Sequence, residues 1–359
     1  MNIQEATARY EAWLRQQIPL LPADVRLKHR RMAESPFPFL RATFYRWAQL
    51  WPRICPELAR APRVLGVGDL HAENFGTWRD TEGRLIWGVN DFDEVAPMPY
   101  TNDLVRLAAS ASLAIRENDL SCNSASACEA MLIGYKECIK KGGEPFVLAE
   151  RHGWLREMAT NKLRDPTAFW QKLTGLPSVR TAVPPAIKSI LREALPEKNL
   201  AFRIVHRQAG LGSLGRRRFT ALAFWDGGWI AREAKELRAS AWLWPASSSE
   251  KSILYQKAIK QAIRVPDPYV FVRGHWLIRR LAPYCSRIEL SSLPKTKDEL
   301  KLFHAMGWET ANIHLGTKWA IREIIKHLRK QPANWLRRAT QAMTKTIIAD
   351  WKMWAGRSG

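Results

Sequence analysis

The stretch Gly210-Leu211-Gly212-Ser213-Leu214-Gly215-Arg216-Arg217-Arg218-Phe219-Thr220-Ala221-Leu222-Ala223-Phe224-Trp225-Asp226-Gly227-Gly228 admits two opposite readings until its second half is taken into account. Its first six residues spell G-x-G-x-x-G. In one use such glycines open a helix against a dinucleotide; in the other they bend a hairpin over nucleotide phosphates. The second half reads as a strand, Phe219 to Trp225, and an Asp-Gly-Gly turn that leads into a second strand, Trp229 to Lys235. No helix comes after the glycines, so the hairpin use fits. Lys235 stands 25 residues after Gly210 at the end of that second strand. A lysine at a strand end is ordinarily a solvated surface residue; its place after this hairpin argues otherwise.

Outward from the hairpin, Phe202 to His206 reads as a preceding strand and Ser248 to Arg264 as a following helix. Tyr269 to Val272 and Trp276 to Leu281 form another predicted strand pair, and Lys297 to Trp354 is largely helical. Upstream, residues 1–60 read as helices broken at Pro19, Pro22, Pro36 and Pro38. Residues 63–95 read as short strands with Asp80-Thr81-Glu82-Gly83 as a hairpin turn, and residues 102–200 as mostly helical with Asn102 or Asp103 as an N-cap. Helices with a little sheet, a β-rich segment and more helices predict an α+β chain in two lobes. The expected divisions are an N-terminal helical segment (1–62), a large lobe (63–200), a small nucleotide-binding β lobe (201–296) and helices returning to the large lobe (297–359).

Two acidic stretches precede all of this: Gly68-Asp69-Leu70-His71-Ala72-Glu73-Asn74-Phe75-Gly76 and Asn90-Asp91-Phe92-Asp93-Glu94. Phosphoryl transfer needs a carboxylate that orients a nucleophile and takes its proton, and oxygen ligands that hold magnesium on the phosphates. Asp69 and, five residues on, Asn74 offer the base and one metal ligand from a single loop. Asp91, 17 residues beyond Asn74, offers the bridging ligand, with Asp93 as a candidate at a second metal. Singly, such residues serve turns and helix caps more often than chemistry. Together they form a pattern.

Gly68 to Asn74 resembles the catalytic loop of aminoglycoside phosphotransferases and choline-type kinases, H-G-D-L-H-x-x-N, with Val67 where those enzymes usually carry His. Asp91-Phe92-Asp93 resembles their magnesium-binding strand end. Asp103-Leu104 resembles an Asp-Leu whose carboxylate caps a helix and braces the loop. Trp276 to Pro283 looks like the last small-lobe strand entering the adenine-pairing hinge, and Phe303 to His314 like the helix that precedes the catalytic loop. The resemblance implies a bilobal protein-kinase-like fold, an ATP and magnesium requirement, and these roles: Asp69 catalytic; Gly210, Gly212, Ser213, Gly215 and Lys235 on the nucleotide; Asn74, Asp91 and Asp93 on metal. It also implies a glutamate holding Lys235, for which Glu250, Glu233 and Glu236 compete. The motif order is rotated, with the catalytic loop ahead of the glycine loop, so the fold is expected to be circularly permuted. The arrangement is similar to an uncharacterised bacterial family, domain-of-unknown-function family 2252. Its hallmarks include Arg31-Met32, Ser35 to Arg41, Gly68 to Gly76, Asn90 to Glu94, Gly212 to Gly215 and Lys235-Glu236. Arg41 is read as an ion-pair partner, with a phosphate as the alternative.

Composition bounds the alternatives. The 359 residues include 56 Lys plus Arg against 34 Asp plus Glu, a net charge of +22 that attracts polyanions. A nucleic-acid or other polyanion partner is therefore one expectation, and a solubility role for the charge is the other. His71-Ala72-Glu73 matches the H-x-E of zinc deaminases, but no P-C-x-x-C comes after it. His206, His275, His304 and His314 lack metal spacing. Five scattered cysteines without a C-x-x-C pair, and Met1 to Tyr10 without the layout of a secretory signal, point to the cytoplasm. No apolar run is long enough for a membrane span. The leading expectation is phosphate transfer from ATP to a hydroxyl-bearing acceptor, a small molecule by the resemblance of the loop. A nucleotide-binding module without turnover and a basic nucleic-acid-binding protein are the alternatives.

Overall fold

Proline starts helices in this chain more often than it stops them. In the computed structural model, which describes residues 1–118, 120–148, 151–159, 165–179, 183–246, 250, 252–285 and 299–356, the first segment folds as four helices. These are α1 (Ile3–Arg15), α2 (Pro22–Glu34), α3 (Pro36–Ala42) and α4 (Phe44–Ile54). Pro22 and Pro36 sit at the first helical position, where the N–H that proline lacks would have no intrahelical acceptor. Pro38 does not break the chain as expected. It lies in the first turn of α3, where backbone N–H groups have no helical partner.

Next come β1 (Arg63–Gly66), β2 (Phe75–Arg79), β3 (Leu85–Val89) and β4 (Ala96–Pro99). They are followed by α5 (Tyr100–Asn118), α6 (Ser124–Lys141) and the short β5 (Phe146–Val147). The expected hairpin is β2–β3, closed by residues 80–83, with β5 added to β3. β1 pairs instead with β4, Gly66 opposite Ala96. Helix α5 begins at Tyr100, so Asn102 and Asp103 lie inside its first turn and are not its N-cap.

The helices α7 (Gly153–Ala159), α8 (Pro166–Thr174) and α9 (Pro185–Glu193) lead to β6 (Arg203–Val205), β7 (Arg218–Trp225) and β8 (Gly228–Glu236). After α10 (Tyr255–Gln261) come β9 (Phe271–Arg273) and β10 (Trp276–Leu281), then α11 (Glu299–His314), α12 (Ile321–Lys330) and α13 (Trp335–Ala355). The helix expected over Ser248 to Arg264 is shorter than its sequence suggests, and residues 247–249 and 251 lie outside the described residues. So do residues 286–298, which hold the expected boundary at 296/297. The result is a mixed α/β protein, mainly helical, with small antiparallel sheets.

Asp226 and Gly227 carry φ values of 45° and 81°, the left-handed pair that a two-residue hairpin loop requires. That turn joins β7 to β8 in a five-stranded antiparallel sheet of order β6-β7-β8-β10-β9. Side chains alternate across it. Phe219, Ala221, Ala234, Trp276 and Ile278 pack on one face against Ile187, Ile190 and Leu191 of α9. The other face carries Arg218, Glu233, Lys235 and Arg279 at one end. At its other end Leu222, Ala231 and Leu281 pack under Leu173 of α8. The main core joins α1–α6 to α11–α13. There α6 and α11 meet backbone to backbone: a Cβ on Gly134 would stand 2.1 Å from the His304 carbonyl oxygen, and one on Gly307 2.0 Å from that of Met131. Only glycine permits that approach.

Candidate active site

One face of α5 organises the loop between β1 and β2. Asp103, Arg106 and Ser110 are spaced three and four residues apart and form one stripe. The Asp103 carboxylate accepts the N–H groups of Val67 at 2.6 Å and Gly68 at 2.9 Å, and Ser110 Oγ accepts that of Ala72 at 2.9 Å. The brace expected of Asp103 is thus present, and His314 Nε2 lies 3.1 Å from it. Gly68 has φ of 85°, and a Cβ there would meet the Glu94 carbonyl oxygen at 2.4 Å; no other residue fits. Asn74 closes the loop by accepting the His71 N–H on Oδ1 at 2.9 Å.

Asp69 presents two unlike oxygens. Oδ1 accepts from Arg106 Nε at 3.0 Å and also from Arg106 Nη2. Oδ2 accepts no hydrogen bond among the described residues, and a Cβ on Gly212 would stand 3.1 Å from it. Burial pushes the Asp69 carboxyl up to about 6 against the pull of Arg106, with Glu94 and Asp91 adding to the rise. Arg106 is itself fully buried between the rings of Phe44 and Trp47, each 5.0 Å away.

The second acidic stretch is tied to the first where the β2–β3 hairpin opens: Asn90 N donates to Asn74 O at 2.9 Å. Lys235 reaches across from β8. Its Nζ lies 2.5 Å from Asp93 Oδ2 and 3.4 Å from Asp91 Oδ2. The lysine partner expected among Glu250, Glu233 and Glu236 is therefore this aspartate pair. Glu233 belongs to three arginines, Glu236 pairs with Arg217, and Glu250 accepts from Ser252 Oγ at 2.9 Å. Arg216 adds a bond to Asp93 at 3.1 Å and one to Glu94 at 3.0 Å, and Arg238 also grips Glu94. Burial alone would raise the Asp93 carboxyl, but Lys235 and Arg216 hold it below the ordinary aspartate value. Burial, then the neighbouring Asp93, pushes Asp91 upward against Lys235.

A cavity of about 1220 Å³ collects these groups. Asp69, Asn74, Asp91, Asp93, Gly210, Gly212, Ser213 and Lys235 all line it. Gly215 is not among its lining residues. It has φ of 98°, its carbonyl accepts from Leu21 N at 2.8 Å, and a Cβ there would strike Val25 at 2.8 Å. Its role is to seat the loop on α2. Ser213 likewise shapes the loop, donating to Gly210 O and accepting from Arg218. Arg41 pairs with Glu73 at 2.7 Å, as the ion-pair reading expects, and it too lines the cavity.

Among the described residues, no group of three or more His, Cys, Asp or Glu side chains gathers as a metal cage. Magnesium does not require one, because it usually takes one or two carboxylates and completes its shell with substrate phosphates and water. Asp93 Oδ1 is buried without a hydrogen-bond partner among the described residues, an orphaned oxygen that a cation would satisfy. Asp91, with 34% of its side chain exposed, faces the same cavity. The donor set fits the ion.

Sequence reasoning missed Arg106, Glu94, Arg216 and Arg238. Arg106 had a signal: a charge inside the apolar run from Leu104 to Ile115, three residues after Asp103, is a charge that must be paired. The two arginines after the glycine loop carried none, because their partners lie over 120 residues away.

The family model for an uncharacterized protein conserved in bacteria, DUF2252, matches residues 20–166. The match takes in the loop from Gly68 to Asn74, Asp91, Asp93 and α5, and ends before the glycine loop and Lys235. No curated protein and no solved structure matches the chain. Among the described residues no helix is long and apolar enough to cross a membrane.

Proposed function

We propose that the protein is an ATP- and magnesium-dependent phosphotransferase of protein-kinase-like, bilobal and circularly permuted design, acting on a hydroxyl-bearing small molecule. One observation carries the reading: Lys235 and Gly212 from the late part of the chain meet Asp69, Asp91 and Asp93 from the early part across one cavity. Protein kinases keep the glycine loop over the phosphates and the lysine on the third strand. Here the glycine loop joins the first two strands of the five-stranded sheet and Lys235 lies on the third. Gln4 Nε2 donates to Met353 O at 2.8 Å, so α1 and α13 lie together, which supports a rotated connection.

In this reading Asp69 Oδ2 takes the acceptor hydroxyl proton while Arg106 fixes the other oxygen. The acceptor oxygen bonds to the γ-phosphorus, the bond from that phosphorus to the bridging oxygen breaks, and ADP leaves. Asp91 and Asp93, with Asn74, would hold the magnesium, which supplies charge neutralisation on the phosphates. Lys235 holds the α- and β-phosphates, and the backbone from Gly210 to Ser213 covers them. A nucleotide-binding module without turnover is the second reading, favoured by the grip of Arg106 on Asp69.

A thermal-shift screen of nucleotides with and without magnesium tests both. At a hundredfold excess over Kd, Mg·ATP should stabilise the protein by about 3 kcal/mol, a rise of a few degrees. The shift should vanish in Lys235→Ala and Asp91→Ala. Asp69→Asn should keep the shift and lose roughly 10²- to 10⁴-fold in ATP consumption. No response from the parent protein to any nucleotide would sink the proposal.

A further inference from the structure

The same sheet face holds more positive charge than Lys235 supplies. Glu233, fully buried on β8, is shared by three arginines. Arg207 gives it Nε at 3.0 Å and Nη2 at 2.8 Å, and Arg279 gives it Nε at 2.9 Å and Nη2 at 2.7 Å. Arg218 gives Nη1 at 2.5 Å and spends Nη2 on Ala209 O and Ser213 Oγ, both at 3.0 Å. Three guanidinium groups share this one carboxylate at the root of the glycine loop. Burial would raise the Glu233 carboxyl, but the arginines hold it well below the ordinary glutamate value, so it stays ionised.

The three arginines are not equivalent. Arg218 is 4% exposed and committed to protein partners. Arg207 and Arg279 are 27% and 24% exposed and line the cavity, and their Nη1 groups donate to no protein atom among the described residues. Each is held by two bonds to Glu233, so the rotamer freedom a ligand would have to remove is already gone. Fixed guanidinium edges facing solvent match the oxygens of a phosphate group. Arg279 stands opposite Glu233 in the β8–β10 register, two residues along the same face from Lys235.

We infer that Arg207 and Arg279, oriented by Glu233, form a metal-independent clamp for a phosphate chain. Its assignment to the donor nucleotide rests on the phosphotransferase reading; the anion site does not. The clamp makes the phosphate chain, more than the base, the part of the donor that binding depends on.

Calorimetric titration of the full-length protein with inorganic tripolyphosphate at low salt, in chelator and without magnesium, tests this. Binding is expected, with adenosine giving none at the same concentration. Arg207→Gln and Arg279→Gln should each weaken tripolyphosphate about tenfold or more, the usual loss for a hydrogen bond to a charged group. Should either variant fail to fold by circular dichroism, Arg207→Lys and Arg279→Lys keep the charge and lose the fork, and should still weaken binding several-fold. Absence of tripolyphosphate binding by the parent, or affinity unchanged in the substituted proteins, overturns the clamp. Arginine-dependent tripolyphosphate binding without any Mg·ATP response would retain the clamp and end the phosphotransferase reading. Mg·ATP bound equally by parent and variants would do the reverse.

Discussion

Asp69 owes its character to what surrounds it more than to its place in a motif. Its neighbours set the pH at which it loses its proton. Burial favours the protonated acid, Arg106 favours the carboxylate, and the balance falls at about 6. On the phosphotransferase reading Asp69 must be unprotonated to take the acceptor hydroxyl proton, so activity should rise with pH through that value and level above it. Below pH 6, kcat/KM for the phosphoryl acceptor should fall about tenfold per pH unit. An acid limb centred near 4, where an unperturbed aspartate titrates, would show that the carboxyl is solvated during turnover. That Asp69 shares a cavity with Asn74 and Asp91 was legible in Gly68-Asp69-Leu70-His71 and the spacing that follows it. The restraint on Oδ1 was not, since nothing in the order of residues says which oxygen of a carboxylate an arginine 37 positions later will take.

Helix α2 controls the glycine loop in a way that local rules do not announce. Asp24 accepts from His206 Nε2 at 2.8 Å and from Gln208 Nε2 at 2.7 Å, and Lys28 Nζ donates to Gly212 O at 3.4 Å. The bond to Asp24 raises the His206 pKa against burial, and bonds from His206 and Gln208 lower that of Asp24 despite its burial. The contribution of His206 is complete below its unfolded value of about 6.5 and is lost as pH rises through its higher folded value. That of Asp24 is present above the ordinary aspartate range and is lost as pH falls through its lower folded value. The latch is therefore strongest in mildly acidic to neutral solution. Asp24→Asn should cost about 1 kcal/mol in urea unfolding at pH 6, discounted for the partial exposure of His206, and less at pH 9. An equal cost at both values would mean the histidine charge plays no part. The elements themselves divide by the same logic. The β7–β8 hairpin was legible because Asp226-Gly227 chooses its own turn. The β1–β4 pairing was not, because β4 is four residues long with Pro97 and Pro99 in it, and prolines argue against a ladder except at an edge.

Across the whole molecule, Glu94 joins the early and late parts of the chain. Its carboxylate receives Arg216, Arg238 and the Ala241 N–H, groups from 122 to 147 residues further on. Such convergence depends on partners that no window of sequence contains, and for that reason only its ingredients could be read in advance. The charge of the chain follows from the same burial. Among the described residues the buried set holds nine Asp and Glu side chains against eight Lys and Arg, so that interior is close to neutral. The excess of basic side chains among the described residues therefore lies toward solvent, in a chain whose net charge is +22. A field of that size draws anions to the surface whether or not they react, and it weakens as salt shortens its reach to about 8 Å at physiological ionic strength. Fluorescence anisotropy with a labelled single-stranded oligonucleotide should show binding at about 50 mM salt that loosens at least tenfold by about 200 mM, as counterion release requires. Asp69→Asn should leave that curve unchanged if the polyanion meets the outer surface, away from the cavity that Asp69 lines. Binding that resists salt, or that Asp69→Asn abolishes, would place the nucleic acid in the cavity and make it a ligand of the site itself.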